Sequence, residues 1–313
     1  MIKKSFLRIM GIFAILTAFA ISSCASSGTH QAKNILIERN ERMFWEIKGE
    51  KGSIFVQGTI HQGADRLYPL DENVLNAFDT ADKIYAEIAA GDLQEAINQT
   101  LPKTMGAMFA KKEKQAFPAL NDEEKKVLKD FVGAKIYASI AMAEPWVIQT
   151  IIEELAFQSL KYEAAKGIDM FLYARAAESQ KTVYGLDPVE TQIALLDFGS
   201  YDDQMFMLKD TMSDIKNNTY EELIEQMFQL YCSDDRKGLA AFSETEYAGY
   251  PKDLVNRLNK AILFDRNANW VKTFEKLLDE GGNVFVFAGA GHFCGENNVF
   301  AMMKAKGLLR EAE

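Results

Sequence analysis

The sequence predicts an α/β fold in which most residues are helical. Short apolar runs typical of β-strands lie near both ends of the chain and once in its middle, at residues 43–47, 53–57, 83–88, 182–186 and 283–288. Two long blocks between them, about residues 92–180 and 189–280, show the apolar spacing of amphipathic helices. With 48% hydrophobic and 26% charged residues, the composition excludes disordered and low-complexity proteins.

Turn and capping residues define the elements of the first half. Gly49 and Gly52 separate the first two strands and predict a β-hairpin. Asp71 suits the N-cap of a helix over residues 71–80. Asn121, with a glutamate three residues later, has the spacing of a capping box and predicts a further helix start.

Proline and glycine mark the later elements in the same way. Pro145 suits the first turn of a helix, and Gly167 precedes another helical stretch. The most apolar strand, residues 283–288, leads to a last helix over about residues 296–306, with Gly307 just past its end.

The N-terminus has the features of a bacterial lipoprotein signal. Basic residues precede an apolar run at residues 9–21, which is short for a membrane span of roughly 20 residues. Ile21, two serines and Cys24 then match a lipobox, so we expect cleavage after residue 23 and lipidation of Cys24. Two or more acyl chains anchor a protein stably. An ordinary secretory signal and an uncleaved anchor are the alternatives.

This reading divides the chain into a signal peptide at residues 1–23, a polar flexible tether at 24–33, and a folded part at 34–313. The folded part is long enough for one large domain or two small ones. We expect the mature protein in the bacterial cell envelope, lipid-anchored on the periplasmic or the outer-surface side.

Charge and cysteine content exclude several classes. The signal carries three basic and no acidic residues, so its removal lowers the net charge from −10 to −13. Such a chain has no general basic surface for nucleic acid or anionic lipid. Three cysteines exclude a disulfide scaffold and a four-cysteine zinc module. Cys232 and Cys294 either pair or remain free thiols.

One sequence pattern occurs twice, 231 residues apart. Residues 54–61 (IFVQGTIH) and 285–292 (FVFAGAGH) each place Gly-x-x-His after an apolar strand. The turn residues are Gly58 and His61 in the first copy and Gly289 and His292 in the second. Glycine permits a positive φ or a close approach, and the carboxyl ends of strands are where open α/β sheets hold their sites. Because neutral imidazole is a metal ligand and a general base, the pair predicts a functional site rather than two structural turns.

Carboxylates and one Arg-Asn pair complete the set of candidates. Glu87 ends a strand and is a metal ligand, a general base or a helix cap. Asp187 follows the middle strand and is either a further metal ligand or the cap of the next helix. Arg266 and Asn267 lie in a helical stretch and either bind a substrate or form a solvated face.

These segments together resemble the TraB/GumN family, which includes the animal Tiki proteases. The segment GTIHQGADRLYPLDENVLNAFDTADKIYAEI resembles the family's N-terminal signature, and NVFVFAGAGHFCGENNVFAMMKAKG resembles its C-terminal signature. Between them, GIDMFLYARAAESQKTVYGLDPVETQ is similar to the central segment, and DRNANW to the Arg-Asn helix. The matches follow in order over about residues 53–310.

The resemblance implies a single domain over residues 34–313, with a central mixed sheet, two converging strand–GxxH units and an extensive helical surround. As in the Tiki branch, His61, His292 and Glu87 would serve a divalent-metal peptidase, with manganese or cobalt favoured and zinc a further possibility. Arg266 and Asn267 match the family's helix pair. The family more usually has Glu at the position of Asp187, and the shorter side chain argues against a catalytic role there.

Three functions therefore stand as hypotheses. The leading one is a metal-dependent hydrolase, tethered to a membrane by its N-terminal lipid, that cleaves peptides or proteins. The second is a metal-independent, esterase-like hydrolase in which a histidine is the general base. The third is a lipoprotein that binds metal or haem without turnover. Nucleic acid is not an expected partner of any of them.

Overall fold

A computed structural model describes residues 33–246, 249–295 and 297–312. The signal peptide, Cys24 and all of the tether except Lys33 lie outside the described residues. None of the helices described is long and apolar enough to cross a membrane.

Seven strands form one mixed sheet in the order β5-β4-β6-β3-β2-β1-β7. The strands are β1 (Asn34–Glu38), β2 (Phe44–Lys48), β3 (Ser53–Thr59), β4 (Lys83–Ala86), β5 (Val183–Gly185), β6 (Val284–Gly289) and β7 (Leu309–Glu311). Strand β2 is antiparallel to both of its neighbours, and every other pair is parallel. The mixed α/β fold and the five sequence-predicted strands are therefore confirmed.

Two strands were not predicted from sequence, β1 and β7. They pair with each other at one side of the sheet, Asn34 opposite Leu309, although they lie at opposite ends of the chain. Their five and three residues are too few to show a clear alternation, and only their long-range pairing makes them strands.

The helices surround this sheet. They are α1 (Glu72–Thr80), α2 (Leu93–Met108), α3 (Asp122–Ser139), α4 (Pro145–Ser159), α5 (Ile168–Glu178), α6 (Val189–Leu196), α7 (Tyr201–Lys216), α8 (Tyr220–Cys232), α9 (Arg236–Glu246), α10 (Lys252–Asn259), α11 (Asp265–Glu280) and α12 (Val299–Ala305). A five-residue π-helical segment, Lys260–Phe264, joins α10 to α11.

The predicted caps are confirmed. The Asp71 carboxylate accepts a hydrogen bond from the amide of Asn73, and Asn121 and Glu124 form the reciprocal capping box of α3. Pro145 is the first residue of α4. The last helix begins a little later than predicted because the Asn298 side chain caps it.

Strand β6 is the centre of the core, since all six of its residues are buried. The ring of Phe285 contacts those of Phe44 and Phe78, with centroids 6.2 and 5.2 Å apart. Such burial on both faces is typical of the inner strands of a parallel sheet. Cys232 and Cys294 are free thiols, which excludes the disulfide alternative.

Candidate functional site

The parallel strands end at one edge of the sheet, and each is followed by a sequence-predicted site residue. His61 follows β3, Glu87 follows β4, Asp187 follows β5 and His292 follows β6. Strands β3 and β6 are direct neighbours, with Thr59 opposite Gly289, so the two Gly-x-x-His turns leave the sheet side by side. The structure thus brings the two histidines and both carboxylates to one edge.

The turn that carries His61 is held by close backbone packing. A Cβ on Gly167 would lie 2.2 Å from the carbonyl oxygen of His61, so only glycine fits there. The amide of Ile168 donates to the carbonyl of Ile60 at 3.1 Å. This packing places the first turn of α5 against the imidazole of His61.

Asp169, in that first turn, is the partner of His61. Its Oδ2 lies 2.8 Å from His61 Nδ1, and its Oδ1 accepts a hydrogen bond from the hydroxyl of Thr59 at 2.5 Å. Burial alone would lower the pKa of His61, but the charge of Asp169, helped by that of Glu87, outweighs it and raises the pKa to about 9. His61 is therefore a cation at neutral pH in the protein without a ligand.

His292, in contrast to His61, is held as a neutral imidazole. It is fully buried, and its Nδ1 lies 2.6 Å from Oδ1 of Asn267, whose Nδ2 donates to the carbonyl of Asn297. Because the amide group donates through Nδ2, its Oδ1 must accept, so His292 carries its proton on Nδ1 and a lone pair on Nε2. Burial and the charge of Arg266 hold the pKa of His292 well below its usual range. The ring packs on that of Trp270, with centroids 4.1 Å apart.

Glu87 is the carboxylate between the two histidines. Its Oε1 accepts from the amide of Gly289 at 2.8 Å and lies 3.9 Å from His61 Nε2. Its Oε2 accepts from Arg266 at 2.5 Å and from Gln192 at 3.0 Å. Burial would raise the pKa of Glu87, but the Arg266 guanidinium, helped by the charge of His61 and the amide of Gly289, holds it well below its usual range. Glu87 is therefore ionised.

Asp187 lies in the same cluster but has no free oxygen. Its Oδ2 accepts from Arg266 Nε at 2.7 Å and its Oδ1 from Trp270 Nε1 at 2.8 Å. Burial raises the pKa of Asp187, and Arg266 partly offsets that rise. These contacts make Asp187 the group that fixes Arg266. The sequence analysis left Asp187 as a metal ligand or the cap of the next helix, and in the structure its oxygens accept from Arg266 and Trp270 while the side chain does not cap α6.

Arg266 and Asn267 also differ from their predicted role in substrate binding. Arg266 is only 2% exposed, bridges Glu87 and Asp187, and donates to the carbonyl of Ile262 in the π-helical segment. Asn267 is fully buried and holds His292. Both side chains therefore position the site from inside the protein.

Neither turn glycine has a positive φ, and Gly58 is required by a close approach. A Cβ on Gly58 would lie 3.1 Å from Cα of Ala290, and the Gly58 carbonyl accepts from the hydroxyl of Tyr231 at 2.7 Å. Gly289 has a φ of −48° and brings its amide to Glu87.

Sequence reasoning missed Asp169, Thr59, Gln192 and Trp270. Asp169 had a usable signal, because it shares a helix face with the apolar Leu172 and Ala176 at i+3 and i+7. A carboxylate on an apolar helix face calls for a buried partner.

The fit of this cluster to a metal ion is partial. His61 Nε2 and His292 Nε2 are buried and have no hydrogen-bond partner in the described part of the chain. His292 Nε2 has the free lone pair of a metal-ligating nitrogen, whereas the raised pKa of His61 means that its Nε2 must first lose a proton. Each ring is also oriented through its Nδ1. Among the described residues, however, no group of three or more His, Cys, Asp or Glu side chains is arranged to hold a metal ion. The described side chains therefore offer at most the two imidazole nitrogens, with Glu87 nearby, and water or substrate would have to complete the coordination of a metal ion.

The model of the TraB/PrgY/gumN family matches residues 31–311, which include every strand and helix of the structure. The chain belongs to this family. An uncharacterized protein of Treponema pallidum (strain Nichols) is 30% identical to this TraB/PrgY/gumN chain over 304 residues, 95% of this chain and 90% of its own. Uncharacterized protein YbaP of Escherichia coli (strain K12) is 24% identical over 250 residues, 79% of this chain and 86% of its own. YbaP of Shigella flexneri shows the same identity and coverage. No solved structure matches.

Proposed function

We propose that this protein is a metal-dependent hydrolase that cleaves peptide bonds. The observation that carries the proposal is the pair of buried, unpartnered Nε2 atoms of His61 and His292 beside an ionised Glu87, within the described residues. Two imidazoles and a carboxylate are donors suited to manganese, cobalt or zinc.

The site residues divide into donors and the groups that hold them. His61 Nε2, His292 Nε2 and Glu87 Oε1 would hold the ion, which lowers the pKa of a bound water and polarises the scissile carbonyl. Asp169 orients His61, and Asn267 orients His292.

The charge state of Glu87 is the chain's own contribution to proton transfer. Arg266 keeps this carboxylate ionised and fixes its orientation. An ionised carboxylate within reach of a substrate water can accept its proton, but the low pKa that Arg266 imposes makes Glu87 a weak base, because a general base works best with a pKa near the operating pH. Glu87 serves either as a ligand or as this base, because one oxygen pair cannot do both.

Metal stoichiometry of the purified chain tests the proposal. The wild type is loaded with manganese, cobalt or zinc, dialysed, and compared with the His61→Ala and His292→Ala variants. About one tight ion in the wild type, lost in both variants, supports the proposal, and a His30→Ala variant outside the described residues is the matched control. Cleavage of a peptide library then has to follow the bound ion. No specific uptake by the wild type overturns the metal-dependent function.

A second candidate is hydrolysis without a metal, with a histidine as general base. The absence of a three-ligand group among the described residues favours it, and so does the neutral His292, whose Nε2 carries a free lone pair. Hydrolysis that survives a chelator but is lost in His292→Ala and in His61→Ala would support this candidate. Tight metal or haem binding with no cleavage of any substrate would instead support a binding lipoprotein.

We further propose that Cys24 is lipidated and tethers the protein to the cell envelope, on the evidence of the lipobox sequence alone. Labelling with a radioactive or alkyne palmitate tests this in cells that process lipoproteins. The wild type is expected to take up the label and remain with membranes, and Cys24→Ser to do neither. A labelled Cys24→Ser variant would refute the assignment.

A further inference from the structure

One helix next to the site exposes an apolar face. Helix α2 begins six residues after Glu87, and its Ile97, Leu101 and Met105 side chains are 57%, 60% and 51% exposed. They are four residues apart and so lie on successive turns of one side of the helix. Phe109, directly after α2, is 64% exposed. Contiguous apolar surface of this kind marks a protein or membrane interaction site.

A neighbouring turn extends this face. The amide of Ala110 donates to the carbonyl of Met142 at 3.1 Å, and that of Glu144 donates to the carbonyl of Ala107 at 2.9 Å. These bonds hold the turn that contains Met142 against the end of α2, and the Met142 side chain is 49% exposed. We call Ile97, Leu101, Met105, Phe109 and Met142 the α2 face.

Lysines border the α2 face at the end of the helix. Lys111, Lys112 and Lys114 are exposed, and Glu113 is the single carboxylate among them. Lys114 lies 3.6 Å from a carboxylate oxygen of Glu144. Lys111 and Lys112 form no ion pair with any residue that the structure describes. This segment is positive although the whole chain carries a net charge of −10.

We propose that the α2 face docks on a lipid bilayer that contains anionic phospholipid. A helix that lies in a membrane interface has large apolar side chains on one side and lysines that reach the headgroups. Helix α2 has the apolar side chains, and the segment directly after it has the lysines. Anionic headgroups would neutralise Lys111 and Lys112. A face-to-face contact between two copies of the chain would instead bring two positive segments together. The docking does not depend on the reaction at the site.

Tryptophan fluorescence tests this lipid contact in the full chain bound to vesicles. The native Trp45, Trp146 and Trp270 are buried, so a tryptophan introduced by Phe109→Trp reports on the α2 face. In vesicles of phosphatidylglycerol and phosphatidylcholine, lipids brominated on their acyl chains should quench this tryptophan several-fold more than one introduced by Phe206→Trp on α7. Because both proteins carry the same N-terminal segment, anchoring by that segment cannot cause the difference.

Charge variants test the role of the lysines. Combining Phe109→Trp with Lys111→Glu and Lys112→Glu should abolish most of the extra quenching, whereas Lys272→Glu with Lys276→Glu on α11, which changes the net charge equally, should not. Similar quenching at positions 109 and 206 overturns the proposal. Equal quenching in pure phosphatidylcholine overturns the role of anionic lipid. A blue shift of the Phe109→Trp protein without vesicles, together with a dimer in solution, overturns it in favour of a second copy.

Discussion

Replacement of Arg266 by methionine should be among the most destabilising single changes in this protein. Its guanidinium is 2% exposed and is the cation between the carboxylates of Glu87 and Asp187. Methionine leaves Asp187 inside the protein without a counter-charge and Glu87 with that of His61 alone. Loss of one partner from a buried ion pair costs about 3–5 kcal/mol of unfolding free energy. Urea unfolding at pH 7, followed by far-ultraviolet circular dichroism, measures this change.

The chain contains a matched control on its surface. Arg257 also bridges two carboxylates, Asp203 and Asp253, but its side chain is 42% exposed. Water screens this cluster, so Arg257→Met should cost at most about 1 kcal/mol. Equal effects of the two arginine variants would refute the reasoning from burial.

A triple variant separates the charge effect from lost packing. Glu87→Gln and Asp187→Asn, added to Arg266→Met, remove the unpaired charges and should restore much of the lost stability, because a whole buried network can be replaced at little cost. If the triple variant is no more stable than Arg266→Met alone, the destabilisation comes from packing and not from unpaired charge.

Three further changes have defined outcomes. Burial raises the pKa of Glu153 to about 8, so the folded state binds its proton more tightly than the unfolded state, and the stability that this proton contributes is lost as pH rises from about 5 to about 8. Glu153→Gln should remove most of this fall in urea titrations across that range, and an unchanged slope would contradict it. Gly167→Ala should displace the His61 turn and lower the free energy of unfolding by about 1–3 kcal/mol. Gly106→Ala, which has open space around its Cβ in α2, should raise the free energy of unfolding by about 0.5–1 kcal/mol. Denaturant midpoints that shift in the same direction in both variants would refute this contrast. If His61 binds metal, Asp169→Asn should weaken metal affinity about 10–100-fold without loss of fold, and calorimetry showing unchanged affinity would remove Asp169 from the site.

The local pattern predicted that each Gly-x-x-His turn lies at the end of a strand, and the family resemblance implied that the two turns converge. Each histidine follows an apolar strand by a fixed spacing, and parallel strands end at the same edge of a sheet. Sequence could not show that β3 and β6 are direct neighbours, since 231 residues separate the two copies. That β3 and β6 are neighbours depends on how the chain between them crosses back to the sheet, and the local spacing of apolar residues does not encode this connection.

The direction in which a helix faces was the main source of error. The buried face of α11 contains Arg266, Trp270, Phe274 and Leu277, so the arginine continues an apolar stripe into the protein. The same spacing allows a polar pair at the start of a helix to face a substrate cleft. Only the carboxylates of Glu87 and Asp187, which come from β4 and β5, make the inward orientation possible.

The two Gly-x-x-His turns hold their histidines in different protonation states because each turn packs against a different partner. The first Gly-x-x-His turn packs on α5, which supplies the carboxylate of Asp169, and the second packs on α11, which supplies the neutral amide of Asn267. The charge of Arg266 lowers the pKa of both rings, and only at His61 does a carboxylate against Nδ1 outweigh it. His292 is therefore ready to donate a lone pair from Nε2 at neutral pH, whereas His61 must first lose a proton. A metal ion at this site would have to release that proton from His61 before Nε2 could bind it, whereas His292 could bind directly, so under the proposed function the two similar turns would contribute by unequal steps.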